Sequence, residues 1–241
     1  MKRIPAILAI CPVLFLFSCG NQAPKEEETK TADTATISPV ATETAEPTFT
    51  PFKAVVIQHK IKNFDKSREG YFNRDTIRRE YGISHFVMGR LETDSNMVFV
   101  MDKVEDVEKS KEFFKQDKVK DLMKKAGVSS PPGYSYVEVV RMRDAPSQYT
   151  QGLSIAHHVK DYAAWLKAYD AEGEATRASH GLIDRGIARD LNDSNMVYVI
   201  FVVSDPEKAK ARVKSPELKK IMEDAGVDSP PTIRWFKELE R

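Results

Sequence analysis

Val55, Ile57, His59 and Ile61 stand two apart in FKAVVIQHKI (52–61), an alternation that predicts a half-buried strand. The phase returns in LSIAHHV (153–159), at Leu153, Ile155, His157 and Val159. Each run is followed by a short polar residue and an aromatic one, Asn63 before Phe64 and Asp161 before Tyr162. Such a polar side chain caps the free N–H groups of a helix start. Tyr162, Trp165, Leu166 and Tyr169 then fall at i, i+3, i+4 and i+7 and predict an amphipathic helix. The first stretch keeps Phe64 and Tyr71 but sets Ser67 and Arg68 between them, a weaker stripe. Gly82 and Gly181 are the expected helix stops.

Second strands are expected over about 83–91 and 182–190, and third strands in MVFVM and MVYVIFVV, apolar on both faces as central strands are. The link into them is written almost identically, TDSNMVFV at 93–100 and NDSNMVYV at 192–199, with Asn96 and Asn195 99 positions apart. KKAGVSSPP (124–132) and EDAGVDSPP (223–231) keep the same offset, so the chain reads as a duplicated domain. Asp-Ser-Asn favours turns, because short polar side chains bond nearby backbone; the doubled motif is read as a hairpin turn feeding a buried strand. Further helical stretches begin near Asp106 and at Asp205, where Pro206 takes the first helical position. They break near KQDKV and KSPEL and end at Gly127 and Gly226. Pro-Pro pairs then lead to fourth strands over 133–140 and 232–239.

The order is βαββαβ, twice. An antiparallel four-stranded sheet with its helices on one face is the ferredoxin-like α+β arrangement, and the bare sheet face of one copy can be covered by the other. The second copy's pattern H.V.DY..W...Y, with its terminal strand, is similar to the dimeric α+β barrel superfamily of antibiotic-biosynthesis-monooxygenase-like and stress-responsive proteins. The resemblance covers roughly 52–241. It implies two ferredoxin-like repeats, 52–145 and 150–241, packed sheet-to-sheet around a cleft as an intrachain pseudo-dimeric α+β barrel. Relatives in that superfamily include cofactor-independent monooxygenases and haem-degrading enzymes. The polar, aromatic and histidine set of the latter does not map residue by residue onto this chain.

The N-terminus changes the cellular picture. Lys2 and Arg3 precede an apolar run from Ile4 to Phe17 that is short for a membrane span and is interrupted by Pro5 and Pro12, which reads as a signal peptide over 1–19. LFSC (16–19) before Gly20 resembles the lipobox of bacterial lipoproteins, implying acylation of Cys19 and attachment to the membrane through it. Cys11 falls in the removed segment, so the folded region would hold no thiol. Residues 20–51, rich in Thr, Glu, Ala and Pro, are expected to be a disordered tether reaching on the order of 30 Å. PKEEE resembles the acidic surface-export signals of some Bacteroidetes lipoproteins, and DTA at 33–35 an O-glycosylation motif of that phylum. The expected address is the bacterial cell envelope, outer membrane before inner, with surface display open.

Charge excludes some partners. With 37 Lys plus Arg against 36 Asp plus Glu, the chain has neither a nucleic-acid footprint nor a polybasic membrane patch. Catalytic signatures are missing too: no P-loop, GxGxxG, HExxH or GxSxG occurs, and neither metal nor cofactor is expected. The candidate site residues come from the aligned copies. His59 and His157 sit on apolar strand faces and serve either as satisfied core histidines or as proton carriers in the cleft. Tyr136 with Trp235 would wall an apolar pocket if their strand phase points to the cleft, and Arg90 with Arg189 would meet an anionic ligand. The resulting expectation is a lipid-anchored envelope protein that binds a small apolar or planar ligand, or a partner, and is a binder before it is an enzyme. The alternatives are a cofactor-independent monooxygenase, isomerase or cyclase using His59 or His157, and a purely structural module; dimerisation beyond the intrachain pair is left open.

Overall fold

The computed structural model describes residues 49–240 apart from Ala145 and Ser147. The expected signal peptide, Cys19 and nearly all of the tether lie outside the described residues. The first half runs β1 (Phe52–Lys60), α1 (Phe64–Phe72), α2 (Asp75–Glu80), β2 (Ile83–Leu91), β3 (Met97–Val104), α3 (Val107–Lys115), α4 (Asp117–Lys125) and β4 (Gly133–Met142). The second runs β5 (Gln151–His158), α5 (Tyr162–Glu172), α6 (Glu174–Ser179), β6 (Leu182–Asp190), β7 (Met196–Val203), α7 (Pro206–Lys214), α8 (Pro216–Asp224) and β8 (Thr232–Glu240).

Local chemistry sets these boundaries. Asn63, Asp106, Asp161 and Asp205 each accept a hydrogen bond from the backbone N–H three residues on, at 2.7–3.1 Å. The breaks between α3 and α4 and between α7 and α8 fall at Gln116 and Ser215, inside the two stretches where the sequence interrupts its pattern. The helical stretch between the first cap and the glycine stop of each half is two helices. Gly173, with φ at 83°, turns the chain between α5 and α6, and Asn73 with Arg74 does so between α1 and α2. Gly181 is required where it stands, because φ is 76° and a Cβ would lie 2.4 Å from the Asp205 carbonyl oxygen. In the doubled motif Asp94 and Asp193 accept from the N–H groups of Asn96 and Asn195 at 3.0 Å, the local turn that starts β3 and β7.

Each half forms an antiparallel sheet, β4-β1-β3-β2 and β8-β5-β7-β6. The halves do more than face one another: β2 pairs with β8 and β4 with β6, so both sheets join at both edges into one closed eight-stranded barrel. Closure leaves no unpaired strand edge. Bulges at His85/Val87 and at Asp184/Gly186 occupy the same place in β2 and β6.

Alternation along the strands then assigns every residue a side. One side meets the helices in two separate cores, around Val55, Ile57, Ile83 and Phe113 in the first half and around Leu153, Val159, Trp165 and Ile187 in the second. Each aliphatic side chain fully buried there contributes about 1.5–3 kcal/mol. The other side points into the barrel, where Ala54, Val137, Val139 and Ala188 form a third, smaller core. Phe99 and Phe236 meet edge to face at 5.0 Å in this interior. Gly89 and Gly152 make room for them, since a Cβ at either would come within 2.5 Å of a ring carbon.

Candidate functional site

The barrel core leaves a cavity of about 280 Å³ unfilled. Its walls are mainly apolar, with Val56, Met101, Val137, Met196, Ile200 and Phe236 among them. Polar groups enter from Gln58 on β1, Ser135 on β4, Ser154 on β5, Tyr198 on β7 and Arg234 on β8. Arg234 is the cross-strand partner of Ser154, and Tyr198 of Ala156 and Ala188. Burial first, then the Asp190 carboxylate, pushes the Tyr198 phenol above its ordinary pKa, with Arg234 opposing them, so the phenol keeps its proton. Among the described residues no hydrogen bond or ion pair engages the Arg234 guanidinium.

The two halves differ inside the barrel more than outside it. At the 99-residue offset Phe86 and Ser135 of the lining, and Val139 of the interior core, correspond to the lining residues Arg185, Arg234 and Glu238. All three charges in the lining therefore belong to the second half. Arg185 is already engaged, donating to the carbonyl oxygen of Arg143.

Most residues singled out from sequence lie elsewhere. Tyr136 and Trp235 face the helices and not the cavity: Tyr136 belongs to the first core, its hydroxyl 3.3 Å from Ser110 Oγ, and Trp235 packs on the second. The expectation that they wall the cleft is corrected by strand phase, which the alternation alone did not fix. Arg90 and Arg189 do not line the cavity either. Each donates Nε to the carbonyl of the serine in the doubled turn, Ser95 at 2.6 Å and Ser194 at 2.7 Å. Each guanidinium also covers the ring that opens the first helix of its half, Phe64 at 4.8 Å and Tyr162 at 3.9 Å. They clamp the hairpin to the helix.

His59 and His157 also face the helices, beside cavities of only about 80 and 70 Å³. Both are buried, and burial lowers each imidazole pKa to about 4, so both are neutral at ordinary pH. Among the described residues, His59 Nδ1 and both ring nitrogens of His157 have no hydrogen-bond partner. His158 points the other way, to the surface, with Nδ1 2.6 Å from Asp228; that bond raises its pKa.

The remainder of each helix-side cavity is occupied by a buried arginine under a tyrosine ring. Arg78 lies 3.6 Å from the Tyr71 ring centroid and Arg177 3.8 Å from that of Tyr169. Arg177 forms a two-pronged pair with Asp184 on β6, both bonds 2.7 Å. In the first half the carboxylate comes from the neighbouring strand: Asp102 on β3 accepts from the Tyr71 hydroxyl at 2.5 Å and lies 3.9 Å from Arg78. His85 holds the position that matches Asp184. Nothing in the sequence patterning singled out this network or Arg234; the available signal was charge at positions that alternate with apolar ones on the strands.

No family model matches the chain, and no curated protein is similar to it. Solved structures do share its fold. An anthrone oxidase-like protein superposes with a TM-score of 0.52 at 12% identity, covering 78% of this chain and 92% of its own. A candidate monooxygenase from Fusobacterium nucleatum gives 0.50 at 12% identity, with coverage of 79% and 93%. One from Lactobacillus acidophilus gives 0.48 at 18% identity, with coverage of 79% and 94%. At such identities the likeness is one of fold: ferredoxin-like halves joined as a dimeric α+β barrel.

Proposed function

We propose that this chain is a lipid-anchored protein of the bacterial envelope whose barrel takes up a small, largely apolar molecule. The observation that supports it is the barrel interior itself, a mainly apolar cavity of about 280 Å³ with polar groups from several strands in its lining. That volume is close to the lower bound of roughly 300 Å³ for ligand pockets, whereas the histidine-bearing cavities of about 70 and 80 Å³ fall well below it. This difference favours binding in the barrel over catalysis by His59 or His157. The neighbours described as monooxygenases and oxidase-like proteins keep the enzymatic alternative in view, but fold does not fix chemistry. The Cys19 anchor and a tether over 20–51 would hold the barrel off the membrane surface.

The test is uptake of an uncharged fluorescent naphthyl probe, N-phenylnaphthylamine, by the full chain. One probe per chain is expected, with binding abolished by Ala156→Phe, which fills the cavity from β5. Undiminished binding in a folded Ala156→Phe variant would place the probe outside the barrel and reject the reading.

A further inference from the structure

We infer that the barrel's ligand carries one negative charge, a carboxylate on an apolar body, seated on Arg234. This rests on the barrel-binding reading above and adds the ligand's chemical class. Arg234 lines the cavity, and among the described residues no hydrogen bond or ion pair engages it. A guanidinium presents five donors in a planar fork suited to the two oxygens of a carboxylate. Ser154 stands opposite it in register, and the protonated Tyr198 phenol, Gln58 and Ser135 are further hydrogen-bonding groups of the lining.

The other charges limit how much negative charge the cavity accepts. Arg185 is committed to the Arg143 carbonyl, and Glu238 brings a carboxylate into the lining. Asp190 and Asp193 act on Tyr198 from the hairpin side. Two guanidiniums and one carboxylate leave the lining a single net positive charge, which suits a monoanion and disfavours a phosphate dianion. The remaining walls, Val56, Met101, Ile200 and Phe236 among them, match an alkyl or aromatic body. In the first half the matching position is Ser135, so the barrel holds this feature once.

The experiment is calorimetric titration of the full chain with decanoate, decanol and decyl phosphate. Decanoate is expected to bind at one per chain and at least about tenfold more tightly than either of the others, the scale of a charge-assisted hydrogen bond. Arg234→Met should weaken decanoate far more than decanol and so remove that preference, while Arg234→Lys should keep part of it. Equal affinity for decanoate and decanol in the unaltered chain would overturn the inference while leaving the barrel-binding reading intact. Preference for decyl phosphate would also overturn it. Absence of binding by all three would count against the barrel reading itself. The head-group comparison in the unaltered chain stands even if a variant fails to fold.

Discussion

His59 and His157 are the clearest case of a residue whose surroundings decide its chemistry. Tyr71, Arg74, Arg78 and Asp102 share the cavity beside His59, and Tyr169, Glu172, Arg177 and Arg212 share that beside His157. Burial dominates, and both folded-state pKa values fall to about 4 from an unfolded value near 6.5. Between those values the unfolded chain binds protons that the folded chain refuses. The contribution of these two histidines is therefore constant above about pH 6.5 and falls as pH drops toward 4. By about pH 5 each histidine should remove roughly 2 kcal/mol. Urea denaturation at about pH 7 and about pH 5 measures the loss, and the double variant His59→Leu with His157→Leu should flatten it. An unaltered pH dependence in that variant would assign the effect to other groups.

Between neighbouring strands the informative unit is the rung. His85 and Asp102 are cross-strand partners on β2 and β3, as are Asp184 and Phe201 on β6 and β7. The carboxylate that serves the buried arginine thus sits on opposite strands of matching rungs. In both halves it also takes a tyrosine hydroxyl, Tyr71 to Asp102 and Tyr169 to Asp184. Asp102→Phe alone should cost on the order of 3 kcal/mol, because Arg78 would lose a buried counter-charge and keep only Asp75 at 3.1 Å. Adding His85→Asp rebuilds the second half's arrangement and should recover most of the loss. A double variant as unstable in chemical denaturation as the single one would show that the rungs are not interchangeable. Strand and turn positions were legible in the sequence because period-two runs, caps and the Asp-Ser-Asn turn are local signals. The side each strand face would take was not. Val55 and His59 share a phase in any antiparallel sheet, and only the joints of β2 with β8 and β4 with β6 decide which face is enclosed. Tyr136 and Trp235 were misplaced for that reason, and Arg234 passed unnoticed on the opposite phase.

The whole molecule depends on those two joints. Separated after Met142, each half would expose an apolar sheet face and two unpaired edge strands, β2 with β4 or β6 with β8. Neither half is expected to remain soluble as a monomer, whereas the two co-expressed should associate and recover the circular dichroism of the intact chain. The intact chain should unfold in a single transition. Two separate transitions, or a soluble folded monomer of either half, would contradict the dependence on closure. The described residues contain no helix long and apolar enough to cross a membrane.

An assembly of two identical chains must copy every change: an arginine acquired at the place of Ser135 would arrive twice, and the lumen would stay a palindrome. One covalent chain escapes that rule. With Ser135 answered by Arg234, and Val139 by Glu238, the lumen carries its charge from one half alone, and a guest of the kind proposed would meet that charge once.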